Sequence, residues 1–79
     1  MTPARLKQII AVIGRDRTDL ARMLGYASEN SLRQAEDGKA MLTPLCTEWL
    51  ERYGRFWERH AKADAEWLKN NPPPDWKNG

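Results

Sequence analysis

The chain holds one cysteine, one histidine and one phenylalanine, and each scarcity closes off a class of chemistry. A lone Cys46 forms no internal disulfide and no multi-cysteine metal site, so a reducing compartment, the cytoplasm, is the expected setting. A lone His60 gives neither a metal cluster nor a nucleophile-base pair, and nothing in the chain resembles a phosphate loop. Pairs such as Asp64 and Glu66, or Glu48 and Glu51, read as a solvated helix surface rather than as acid-base machinery. No apolar run approaches the ~18 residues of a membrane helix. Arg5, Lys7 and Gln8 break up the stretch after Met1 that a signal-peptide core would occupy. Alternating β-branched runs are missing, so no strand is expected. Charge of one sign is scarce as well: 13 Lys and Arg against 11 Asp and Glu leave +2, too little to imply nucleic acid by itself. With 79 residues there is room for one domain. A domain this small buries only roughly 60% of its unfolded surface, so no enzyme, cofactor, metal or small-molecule ligand is expected.

What the chain does have is helical punctuation. Thr2 is a natural N-cap with Pro3 at the first helical position, and Leu6, Ile9, Ile10 and Ile13 follow at helical spacing until Gly14. A second, short helix starts at Asp16, carries Asp19 in its first turn, buries Leu20, Ala21, Met23 and Leu24, and ends at a left-handed Gly25. Ser28 is the natural N-cap of a third helix running to about Asp37, with Leu32 and Ala35 inward and Gly38 as the stop. After the loop Ala40-Met41-Leu42, Thr43-Pro44 repeats the opening signal of the first helix. A long pattern then runs to Asn70-Asn71, with Gly54 inside it as a bend or no break at all. Residues 1–71 therefore form the domain, and residues 72–79 a proline-rich, polyproline-like tail. Trp76 in that tail has two open readings, folded onto the core or mobile. The fold class is all-α, a small bundle of four to five helices with an extended C-terminal helix.

The segment from Asp16 to Lys39 carries the functional signal. A short amphipathic helix, a glycine turn and a helix with a polar outer face make a helix-turn-helix. The major groove admits one helix, and Arg33 can pair with guanine while Asn30 or Gln34 pairs with adenine. Any solvated helix in a bundle has a polar outer face too, so spacing alone leaves both readings open. The charge excess also lies in this half: seven basic against five acidic residues through Ala40, six against six beyond it.

These residues resemble the DNA-binding domain of the phage repressor and Cro family, the XRE-type regulators. The resemblance rests on Leu20-Ala21, Gly25, and Ser31-Leu32-Arg33-Gln34-Ala35-Glu36-Asp37-Gly38-Lys39, and it covers about residues 2–50. It implies a lambda-repressor-like bundle and sequence-specific binding of double-stranded DNA, usually by a homodimeric transcriptional repressor of bacterial or phage origin, on a palindromic operator. By position, Glu29, Asn30 and Gln34 fall where the family reads bases, and Arg33 falls beside them. Arg17 and Lys39 fall where it contacts backbone phosphate. Ser28 and Ser31 complete the candidate DNA-binding set. Glu36 falls at a structural ion pair whose basic partner on the first helix is replaced here by Ile10, so the pair is expected to be absent or rerouted. The turn from Gly25 to Leu32 is one residue longer than the common form, and the apolar Ala40-Met41-Leu42 loop offers few phosphate contacts. The setting implied is the cytoplasm, on the nucleoid.

Cys46, Leu50, Tyr53, Trp57, His60, Asp64 and Trp67 are spaced 4, 3, 4, 3, 4 and 3 apart, a coiled-coil-like seam. One helix from Pro44 to Asn70 would be about 40 Å long, and its far half would expose Trp57 and Trp67. A homodimer through Leu50, Tyr53, Trp57, His60 and Trp67 is therefore expected in preference to a helix folded back on its own domain. It would suit two reading helices on successive major grooves. The alternative function is a protein-interaction helical module that keeps the bundle but does not bind DNA, motivated by the small charge, the Met41-Leu42 loop and four tryptophans.

Overall fold

A computed structural model describes residues 1–78. They form α1 (Pro3–Val12), α2 (Arg17–Met23), α3 (Asn30–Glu36), α4 (Pro44–His60) and α5 (Asp64–Asn70), with 3-10 turns at Ala61–Ala63 and Trp76–Asn78 and no strand among them. The two Thr-Pro starts behave as their chemistry dictates. Thr2 and Thr43 sit in extended backbone, and their hydroxyls accept from the N–H groups of Arg5 and Cys46 at 3.2 and 3.3 Å. Gly25 and Gly38 take positive φ, +86° and +77°, after α2 and α3.

The third helix departs from expectation. It begins at Asn30, its N-cap is Glu29 in helical backbone, and no side chain caps it. Ser28 lies in the turn before it. At seven residues each, α2 and α3 are too short to persist alone. Leu20, Leu24 and Leu32 hold them, fully buried and worth about 1.5–3 kcal/mol apiece.

The core is Leu6, Ile9 and Ile10 of α1 with Ile13 just after it, those three leucines, Ala21 and Ala35, and Cys46, Trp49, Leu50 and Tyr53 of α4. Gly54 does not interrupt α4. It lies where α1 crosses, and a Cβ there would come within 3.1 Å of the Ile9 side chain. Gly14 likewise leaves room for the Trp57 ring, which a Cβ would meet at 2.8 Å.

The single long helix is not formed. α4 stops at His60 after 17 residues, about 25 Å, and α5 returns along it. Trp67 stacks on Tyr53 at 5.0 Å and on Phe56 at 5.3 Å, and the Trp49 indole N–H donates to the Asn71 carbonyl at 2.9 Å. At the bend, Arg15 donates to the Tyr53 hydroxyl at 2.8 Å and to Asp64 at 2.6 Å, while the Tyr53 hydroxyl donates to the other Asp64 oxygen. Burial, and then the Asp64 bond, push the Tyr53 phenol pKa up, so it stays a neutral donor. No glycine or proline marks this bend. Tertiary contacts impose it on a sequence that locally favours continued helix.

Asp64 thus ties α5 to α4 and to the α1–α2 junction. Asp64→Ala and Arg15→Ala should each lower stability by about 1.5–3 kcal/mol in urea unfolding. The double variant should lose clearly less than their sum, because the two remove one shared interaction.

Candidate nucleic-acid interface

The candidate residues are gathered on and around α3. Leu32 and Ala35 point into the core and Glu36 is buried, which leaves Asn30, Arg33 and Gln34 exposed at spacings of three and four on one face. Ser28 is exposed before the helix, Lys39 after it, and Glu29 and Ser31 are half-buried.

A buried carboxylate needs a partner, and Glu36, with only 7% of its side chain exposed, finds one in Arg17. The pair is bidentate, Nε to Oε2 at 2.8 Å and Nη2 to Oε1 at 3.1 Å. The Glu36 hydrogen bond raises the Arg17 pKa further above its ordinary value. The structural ion pair is therefore rerouted: the cation comes from the first residue of α2 rather than from α1. Arg17 is placed near α3 as expected, but its guanidinium ties α3 to α2, and only one-third of its side chain is exposed. Glu29 and Arg33 pair with each other at 3.2 Å along the exposed face. Such an i,i+4 surface pair is worth only about 0.3–0.5 kcal/mol, so it holds Arg33 only weakly.

One further basic residue belongs here. Lys7 of α1 lines a groove with Ile10, Arg17, Arg33, Glu36 and Asp37. The signal was available, since Lys7 lies one turn before Ile10, the position at which a basic residue of α1 was sought. The face then carries Lys7, Arg17, Arg33 and Lys39 against Glu29, Glu36 and Asp37, four cations to three anions.

The tail forms part of the same surface. Asn71 to Asp75 lead back from α5, and the Trp76 N–H donates to the Leu24 carbonyl at 2.8 Å, its indole N–H to the Gly25 carbonyl at 3.1 Å. Its ring stacks on Tyr26, 5.3 Å away and 8° from parallel. Two carbonyls left over at the end of α2 are satisfied in this way. Trp76 also borders a groove lined by Tyr26, Ser31, Gln34, Met41 and Leu42, two of which, Ser31 and Gln34, belong to the candidate DNA-binding set. Of the two sequence readings of Trp76, folded onto the body is the one observed; Gly79 lies outside the described residues.

The expected dimer residues are placed differently. Leu50 and Tyr53 are wholly buried in their own protomer's core, with no surface to offer. Trp57 and Trp67 are half-buried, the first against Gly14 and the second in the aromatic stack. Only His60 is exposed, beside Phe56. The exposed far half that called for a partner is covered instead by α5. No helix among the described residues is long and apolar enough to cross a membrane, and no group of three or more His, Cys, Asp or Glu among them is arranged to hold a metal ion. Comparison with protein-family models, with curated proteins and with solved structures finds no match.

Gly25 is the point where turn and tail meet. A Cβ there would lie 2.8 Å from an Asp75 carboxylate oxygen, on a backbone at φ +86°. Gly25→Ala should cost about 1–2 kcal/mol in thermal unfolding and shift the tryptophan emission to the red as Trp76 leaves Tyr26.

Proposed function

We propose that the protein binds double-stranded DNA through the outward face of α3, as a small homodimeric regulator of transcription acting on a two-fold operator in the cytoplasm, on the nucleoid. One observation carries this reading. Asn30, Arg33 and Gln34 are exposed on one face of a helix that is held from behind by Leu32, Ala35 and the Arg17–Glu36 pair, and among the described residues Arg33 is engaged only by the surface carboxylate of Glu29. Arginine and the two amides are the side chains that make bidentate contacts with guanine and adenine edges. Their support is buried, and beyond the Glu29–Arg33 surface pair no side-chain hydrogen bond or ion pair among the described residues ties them to the rest of the fold.

The electrostatics fit a modest binder. Arg17 is occupied by Glu36, so Lys7 and Lys39 are the main phosphate contacts. With each neutralised phosphate contributing about −0.9 to the slope of log K against log salt, the dependence on salt should be shallow for a protein of this kind. Steering by net charge is weak at +2, so discrimination has to come from base edges.

A second reading has its own observation. Met41 is 93% exposed and lines a groove with Met1 and Leu42 by the α3–α4 loop, and Leu45 is exposed at the start of α4. Such exposed apolar side chains are what a protein-interaction module would present. The two readings separate on one experiment, selection from a random duplex pool followed by gel shifts at low salt. On the selected site Gln34→Ala should lose about 1–3 kcal/mol and relax preference at one base pair. Lys39→Ala should weaken all sequences alike and reduce the salt slope by about one. Absence of any retention at low salt would exclude DNA binding and leave the interaction module.

A further inference from the structure

We propose that α5 and the tail behind it exchange between two copies of this chain, with Ala61–Ala63 straightening into helix as the hinge. This deepens the dimer in the proposed function, but it stands on folding contacts and needs no DNA.

The bend after α4 is held open against its own sequence. His60 (φ −141°, ψ 42°) and Ala63 (φ −98°, ψ 22°) interrupt the helix, and α5 begins without a side-chain cap. Ala61, Lys62 and Ala63 are strong helix formers, and the bend holds no glycine or proline. The 4, 3, 4, 3 spacing of α4 also continues across the bend, through Tyr53, Trp57, His60, Asp64 and Trp67, with the polar His60 and Asp64 at the bend itself.

Every contact that holds the returning segment can be made equally by an identical neighbour. Asp64 binds Arg15 and Tyr53, Trp67 stacks on Tyr53 and Phe56, Asn71 accepts from Trp49, and Trp76 binds the Leu24–Tyr26 turn. Exchange keeps all of them and adds the helical hydrogen bonds of two straightened hinges, against the entropy of association. The geometry closes. Along α5, Asp64 meets Tyr53 and Asn71 meets Trp49, so the returning segment runs antiparallel to α4. Once opened, two α4–α5 helices lie antiparallel about a two-fold axis, and each tail clamps the α2–α3 turn of the other copy. The seam legible in the sequence is then a seam between protomers, filled by α5 of one and α4 of the other.

Sedimentation velocity of the full chain without DNA tests this. A species of twice the 9.2 kDa chain mass should grow with concentration. Ala61→Gly with Ala63→Gly should raise its dissociation constant by several hundredfold, about five-fold for each of four hinge glycines per dimer, at unchanged circular dichroism of the monomer. A charge exchange provides the second arm. Arg15→Asp and Asp64→Arg chains each face a like-charge contact alone, whereas an equimolar mixture forms a one-to-one complex in which both contacts are again opposite in sign. A wild-type chain that stays monomeric at every concentration, a dimer indifferent to the hinge glycines, or a mixture that forms no complex would overturn the proposal.

Discussion

The Asp64 carboxylate receives a guanidinium from the α1–α2 junction and a phenol from the middle of α4, and most of the molecule's shape follows from that meeting. Tyr53 carries its hydroxyl into the core, where an unpaired polar group is costly. Asp64 and Arg15 satisfy it only if the chain turns back after His60. Once it has turned, Trp67 covers Tyr53 and Phe56, and Trp49 fixes the end of α5 through Asn71. From there the chain is aimed so that Trp76 reaches the turn after α2. A hydrogen-bonded node on one side of the bundle thereby decides what lies beside α3 on the other.

A second charged pair performs the matching task for α3 itself. That helix has seven residues, no capping side chain and only Leu32 and Ala35 as buried apolar positions, so little in its own sequence aims it. Glu36 and Arg17 tie its last turn to the first residue of α2. Removing either partner would strand a charge, the expensive way to break a buried pair. Asn30, Arg33 and Gln34 consequently face outward from a support fixed at both ends, by Leu32 in the core and by the pair at the C-terminus. With few cations around it, the face offers geometry more than field strength.

The parts of the fold legible in the sequence are those written locally. The Thr-Pro starts of α1 and α4, the left-handed Gly25 and the apolar stripe of α1 are short-range chemistry, and the all-helical bundle follows from them. The outward positions of Asn30, Arg33 and Gln34 follow from the inward Leu32 and Ala35 at helical spacing. What the sequence concealed is long-range. Ser28 looks like a cap, but Glu29 takes the N-cap position in helical backbone and the helix starts at Asn30. The bend at Ala61–Ala63 has no local signal, because its cause is Arg15, 46 positions before Ala61. The partner of Glu36 lies on α2, and no spacing rule chooses Arg17 over a residue of α1. Leu50 and Tyr53 read as a seam for a second chain because the segment that covers them, α5, reads as more of the same helix.

Amide chemical shifts of the nitrogen-15-labelled chain, followed as a short duplex is added at low salt, bear on whether α3 meets DNA. Binding as described here moves the amides of residues 28–34, Lys39 and Lys7 and leaves those around Met1 and Leu45 in place. A spectrum that does not change, or one that changes only around Met1, Met41 and Leu45, would contradict it.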